Sequence, residues 1–256
     1  MKYGFCTGFA TEPLWQIRQD MLERIRTSGF DYAELPIMTF ADMGENEFSS
    51  VFPSFSSPVA CNLFPGRIPL VSNERDHDVI RSYLDTAFSR CRTLGITETV
   101  FGSGKARSFN PDEMGKDEAY ARLRGTIAGA VIPKAVEYGI TVLIEPLKRD
   151  ECNLINTVSE GYALSEEIGH PSLLLMADIY HMESNGEDVN SLVPALDRIR
   201  HIHIAGKGRS LDDTMTDSYI YDALRLLKRS GYDRTVSFET SDGDISSALS
   251  WLKRTF

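Results

Sequence analysis

The sequence predicts a single-domain (β/α)8 barrel over residues 1–256. Three observations predict it. Short apolar, β-rich runs alternate with longer amphipathic segments from one end to the other, and regular alternation implies a parallel sheet. Eight such units fill 256 residues, the usual span of one closed barrel. No Gly-rich dinucleotide fingerprint follows the first strand, which counts against an open doubly wound sheet.

The elements follow in order. Residues 3–8 read as the first strand and residues 13–28 as its helix, with Gly29 suited to a C-cap. The second strand is 32–37. Residues 38–57 lack periodicity, a long βα connection with the character of a lid. The third strand, 59–64, leads to a helix over 76–94, and the fourth strand is 98–101. Residues 111–138 read as one long helix, or as two over 118–128 and 130–138. The second half is cleaner: strands at 141–145, 173–178, 199–204 and 235–239, with helices at 158–167, 190–196, 223–230 and 245–253. No linker or low-complexity tract divides them.

Composition narrows the function. The chain is 42% hydrophobic and 25% charged, ordinary for a globular protein. Its formal net charge of −10 repels phosphate backbones and anionic headgroups, so neither nucleic acid nor membrane is an expected partner. Cys6, Cys61, Cys91 and Cys152 lack zinc-site or CxxC spacing and read as buried thiols of a reducing compartment. The first residues, MKYGFCTGFA, lack the features of a signal peptide, and no run approaches the roughly 20 apolar residues of a membrane span. A soluble cytoplasmic protein is expected.

The chemistry gathers at the strand ends. In such a barrel the C-terminal ends of the strands converge on one mouth. The fifth strand ends at Glu145, the sixth at Asp178 and the eighth at Glu239, while the seventh carries His201 and His203. Four consecutive strands thus each deliver a metal-capable side chain. Three carboxylates and one imidazole form an oxygen-rich set that suits Mn²⁺ or Mg²⁺, with Co²⁺ or Zn²⁺ as alternatives. Carboxylates crowded without a cation would raise one another's pKa. Singly, an acid at a strand end is more often a helix N-cap, and one of the two histidines is open to a plain core role. Glu151, His181 and Arg209, in the loops beyond, carry donors and acceptors that suit a polyol. Glu34, in the AELPI of the second strand, is a candidate for a substrate hydroxyl at the mouth, with an N-capping or exposed role as its alternative. GSGKAR, from Gly102 to Arg107, lacks P-loop spacing; its glycines suit a tight turn, and Lys105 and Arg107 are placed to meet an anionic group on a substrate. Trp15 and Phe64 suit either an apolar wall of the site or core packing.

The segments IEPLKRDECNLINT, ADIYHM, HIHIAGKGR and SFET resemble the signatures of the xylose-isomerase-like sugar (phosphate) isomerase/epimerase barrels, nearest to the ketose 3-epimerases that act on tagatose and psicose. CNLFPG and VFGSGKAR are weaker echoes. The resemblance implies a TIM barrel whose Glu145, Asp178, His203 and Glu239 bind one divalent ion, commonly Mn²⁺. It implies that Glu145 and Glu239 also exchange the substrate's proton, through a metal-stabilised enediolate, and that Glu151, His181 and Arg209 hold substrate oxygens. The expected protein is therefore an isomerase of carbohydrate metabolism, acting on a ketose or ketose phosphate. Relatives often assemble as homodimers or homotetramers. The chain departs from the epimerase pattern after His181-Met182, where it reads ESNGEDVN, and after Arg209, where SLDDTMTD replaces a Pro-Gly segment. Both stretches border the substrate, so the sugar and its phosphorylation stay open. The rival functions are a metal-dependent dehydratase of the inosose type, an endonuclease IV-like nuclease, and a non-catalytic carbohydrate-binding barrel. The nuclease is disfavoured by having only five histidines, and the binding protein by the completeness of the ligand set.

Overall fold

A computed structural model of the chain describes residues 1–9, 16–52, 56–241 and 243–256. Its eight strands are β1 (Lys2–Cys6), β2 (Tyr32–Pro36), β3 (Val59–Cys61), β4 (Glu98–Phe101), β5 (Thr141–Ile144), β6 (Leu173–Asp178), β7 (Ile199–Ile204) and β8 (Thr235–Phe238). They pair in parallel in sequence order, and β1 closes on β8. The chain folds as a single TIM barrel.

Around it run α1 (Gln19–Thr27), α2 (Ile37–Phe40), α3 (Glu45–Val51), α4 (His77–Thr93), α5 (Gly104–Arg107), α6 (Lys116–Thr126), α7 (Ile132–Tyr138), α8 (Val158–Ile168), α9 (Ile179–Ser184), α10 (Leu211–Thr216), α11 (Ser218–Arg229) and α12 (Ile245–Thr255). A π-helical turn, Ile127–Val131, joins α6 to α7, and a 3₁₀ segment, Val189–Ala195, precedes β7. The π turn comes just before Pro133, whose missing N–H and bulky ring disturb regular helix. No helix of the described residues is long and apolar enough to cross a membrane.

Alternation along each strand sorts side chains between two cores. Cys6, Tyr32, Val59, Cys61, Val100, Leu143, Leu174 and Met176 fill the barrel interior. Phe5, Leu35, Ile144, Leu175, Ile202 and Phe238 join the larger core that meets the helices. Glu145 and Asp178 are two residues beyond the interior Leu143 and Met176, so the same alternation turns them inward at the rim. Between β6 and β7 the register slips: Leu175 pairs with Ile199 but Met176 with His201. This one-residue bulge in β7 sets Asp178 directly beside His203, and bulges of this kind recur next to active sites.

The described part of the stretch, 38–52, is not irregular. α3 and most of α2 lie within it, and the rings of Phe40, Phe48 and Phe52 meet in tilted and edge-on pairs, with centroids 5.3 to 6.4 Å apart. Their burial gives the connection a small core of its own, a period that short helices hide. α11 begins before the expected residue 223 because Asp217 caps it through the Tyr219 N–H. α5, α9 and α10 were not legible, each being six residues or fewer. Trp15 and the start of the helix expected at residue 13 lie outside the described residues. Phe64 is buried in the outer core.

Candidate metal centre

Beneath the mouth, β2 and β7 build a hydrogen-bonded base. Glu34 is fully buried, and its two oxygens meet His201 Nε2 at 3.1 Å and His203 Nε2 at 3.0 Å. Burial alone would raise the Glu34 carboxyl, but the two imidazoles outweigh it and hold the group well below the usual carboxylate range. Both Glu34 oxygens are therefore engaged by imidazoles, and its place in the middle of β2 sets it one layer below the mouth expected of it. His201 has both nitrogens engaged, since Nδ1 lies 2.8 Å from Thr235 Oγ1.

His203 keeps one nitrogen for the mouth. With Nε2 on Glu34, its Nδ1 faces Glu145 Oε1 at 3.7 Å, Glu239 Oε1 at 3.7 Å and Asp178 Oδ2 at 4.0 Å. His203 is fully buried, Asp178 is 1% exposed, and Glu145 and Glu239 are 5% and 6% exposed. Burial, which would lower the His203 pKa, is outweighed by Glu34, Glu239 and Glu145, which hold it well above its ordinary value. Burial pushes Glu145 up to about 7, with the charges of Glu239 and Asp178 adding to it and His203 opposing.

Asp178 caps α9 through Oδ1, which accepts the Tyr180 and His181 N–H groups at 2.8 and 3.4 Å. Its Oδ2 and His203 Nδ1 are both buried and make no hydrogen bond among the described residues. Two orphaned polar atoms facing one another among carboxylates are costly unless something charged lies between them. Ligand atoms about 2.1 Å from one ion lie within roughly 4.2 Å of each other, and the three distances from Nδ1 meet that limit. The residues fit a divalent cation. Asp178, His203 and Glu239 form one candidate group of metal-ligating atoms, and Glu145, Asp178 and His181 another. A third, Glu34 with both histidines, is already satisfied by its own hydrogen bonds.

A second ring lies above. His181, 2% exposed, accepts the Lys148 N–H at Nδ1 over 3.3 Å, which assigns its proton to Nε2. That Nε2 points among Asp178 Oδ2 (3.5 Å), Glu151 Oε2 (3.9 Å) and Glu145 Oε1 (4.0 Å). Burial lowers the His181 pKa to about 3, so the ring is neutral. Arg209 donates to Glu239 Oε2 at 2.5 Å and lies between the rings of Phe9 and Tyr180, 4.3 and 4.0 Å from their centroids. Lys148 Nζ reaches the Tyr180 hydroxyl at 3.1 Å and Glu151 Oε1 at 3.5 Å.

The structure thus brings Glu145, Asp178, His203, Glu239, Glu151, His181 and Arg209 together, with Glu34 behind them. Sequence reasoning missed Phe9, Tyr180, Lys148 and Gly102 as neighbours of this site. A Cβ on Gly102 would stand 2.1 Å from Glu145 Oε2, so its glycine leaves space for the carboxylate. The signal was its position immediately after β4, the same kind that exposed Glu145. Arg107 is not at the mouth: it is fully buried and bonded to main-chain carbonyls. All four non-glycine residues with positive φ among those described, Asn62, Ser103, Ile155 and Arg209, lie in strand-to-helix loops at this face, where backbone strain commonly gathers.

The xylose isomerase-like TIM barrel family model matches residues 22–255. The ketose 3-epimerase of Arthrobacter globiformis is 26% identical over 231 residues, covering 88% of this chain and 78% of that protein. The D-psicose 3-epimerase of Clostridium cellulolyticum H10, solved with D-tagatose, superposes with a TM-score of 0.80 at 18% identity, over 100% of this chain and 95% of the other. The IOLI protein, solved with a bound zinc atom, superposes with a TM-score of 0.75 at 20% identity, over 100% and 96%. These two structural likenesses establish the shared fold.

Proposed function

The chain belongs to the xylose isomerase-like TIM barrel family, and we propose on that premise that it is a metal-dependent isomerase of ketoses, moving a proton at the carbon beside the carbonyl. The observation that carries this reading is the convergence of Glu145 Oε1, Asp178 Oδ2 and Glu239 Oε1 on His203 Nδ1. Its named relatives include a ketose 3-epimerase.

Glu145, Asp178, His203 and Glu239 would hold the ion, Mn²⁺ being the best match to three carboxylates and one imidazole. When bound, a divalent cation draws electron density from the sugar's carbonyl and makes the neighbouring C–H more acidic. Everything else falls to the chain. Glu34 fixes the His203 ring by holding its far nitrogen, as carboxylates commonly do behind ligating histidines. Glu145 and Glu239 come from different strands and are suited to take and return a proton on two sides of a sugar lying between them. Return to the same carbon from the opposite face gives an epimer; return to the adjacent carbon interconverts ketose and aldose. Arg209 holds Glu239 in a fixed orientation. His181 presents its Nε2–H, and Glu151 an acceptor, to sugar oxygens.

The test is incubation of the Mn²⁺-loaded protein in D₂O with a panel of ketoses and ketose phosphates. Deuterium should enter the carbon next to the carbonyl, with or without net conversion. Loss of water from the product would reveal a dehydratase instead, and no exchange on any sugar would remove the isomerase reading.

A further inference from the structure

GSGKAR, which lacks the spacing to cradle a phosphate, meets Glu145 at its two ends, Gly102 and Arg107. Arg107 is the bulkiest fully buried side chain among the described residues. Its guanidinium forms no carboxylate ion pair among the described residues. It donates through Nη1 to the Phe101 carbonyl at 3.1 Å and through Nη2 to the Glu145 carbonyl at 2.5 Å and the Ile155 carbonyl at 3.5 Å, while Nε meets Cys152 Sγ at 3.4 Å. One planar fork therefore ties the end of β4, the end of β5 and the far side of the loop beyond β5. A buried charge left to main-chain carbonyls is an expensive arrangement for mere packing.

The carbonyls it holds are informative. Glu145 carries the candidate ligand and proton-transfer group. Ile155 is a β-branched residue at φ +62°, a conformation disfavoured for such side chains, and its carbonyl also accepts the Leu147 N–H at 3.2 Å. These bonds close the loop that presents Glu151 and Lys148. Glycines at the other end of the segment give way to the same loop: a Cβ on Gly104 would meet the Glu151 carbonyl at 2.5 Å, and one on Gly102 the Glu145 carboxylate at 2.1 Å.

We propose that GSGKAR is a positioning device for Glu145, in which Arg107 anchors the main chain of Glu145 and its loop while Gly102 leaves space for its carboxylate. This rests on the metal reading above. Arg107 acts through Glu145 and does not touch the substrate.

The experiment is calorimetric titration of Mn²⁺ alone into wild type, Arg107→Lys, Gly102→Ala and Gly139→Ala, with circular dichroism to verify folding. Lysine keeps the charge but lacks the planar fork whose separate nitrogens reach the three carbonyls. The added methyl at Gly102 meets the flexible end of a side chain, so it displaces the carboxylate and not the fold. Arg107→Lys and Gly102→Ala should bind Mn²⁺ at least tenfold more weakly, while Gly139→Ala, remote from the site, binds as wild type does. Folded variants binding within threefold of wild type would overturn the proposal. So would failure of both Arg107→Lys and Gly102→Ala to fold, which would make the segment a plain core element. Wild-type protein that takes up no Mn²⁺ would remove the metal reading and this inference with it.

Discussion

Asp178 accepts two N–H groups of α9 through Oδ1 and turns toward His203 and His181 a buried Oδ2 that has no hydrogen bond among the described residues. The two readings of an acid at a strand end, helix cap and metal ligand, are here separate oxygens of one side chain. Asp178→Asn separates them. An amide oxygen still caps α9, but the NH₂ group then faces the site as a donor where an acceptor is needed. The fold should persist by circular dichroism while Mn²⁺ affinity falls further than the roughly 10–100-fold typical of a residue that only backs a ligand. Unchanged affinity would exclude Oδ2 as a ligand. Glu239→Gln should reduce turnover by roughly a hundredfold to ten-thousandfold, the usual contribution of a proton-transfer group, with the fold intact by circular dichroism. Substantial activity in that variant would remove the two-carboxylate mechanism.

At the scale of elements, caps and bulges set where each side chain arrives. Thr157 accepts the Glu160 N–H while Glu160 accepts the Asn156 N–H, a reciprocal cap that starts α8. Asn156 and Asn185 then hold the carbonyls of the loop between β5 and α8: Asn156 Nδ2 bonds Leu147 and Cys152, and Asn185 Nδ2 bonds Asn156. The loop carrying Glu151 is thus ordered by amides as well as by the burial of Leu147, Leu154 and Ile155. α7 ends at Gly139, whose φ is +65° and where an added Cβ would meet nothing within 4 Å. Gly139→Ala therefore isolates the backbone term, about 1 kcal/mol. For a chain of this size the melting temperature should fall by roughly 2–4 °C, and no change would mean that the left-handed cap relaxes.

For the whole molecule, the candidate ligands come from the ends of four strands at the mouth of the closed barrel, so binding of the proposed ion should be linked to global stability. Any ion that binds only the folded state stabilises it by RT ln(1 + [L]/Kd), about 2.7 kcal/mol at a hundredfold excess over Kd. Removing metal with a chelator should abolish activity and lower the melting temperature by roughly 5–10 °C, with both restored by Mn²⁺. A melting temperature indifferent to chelator and Mn²⁺ would argue against an ion shared by four strands. The buried carboxylates make the direction plain: without a cation, Glu145 is raised to about 7 by burial and its acidic neighbours.

The alternation of strands and helices, the barrel and the acidic strand ends were legible in the sequence because each depends on local periodicity. The strands 98–101, 173–178 and 199–204 have the same bounds in the structure; each begins directly after a polar residue, Thr97, Ser172 or Arg198. Which of two like residues does which task was decided only by tertiary structure. His201 and His203 share a strand face and differ in depth, so Glu34 and Thr235 engage both nitrogens of one, while the other retains Nδ1 for the carboxylates. Glu34 and Arg107 read as mouth residues from their places in the sequence, yet both are fully buried. Sequence position predicts which end of the barrel a side chain occupies, but the direction it takes there depends on partners brought from strands and loops far along the chain.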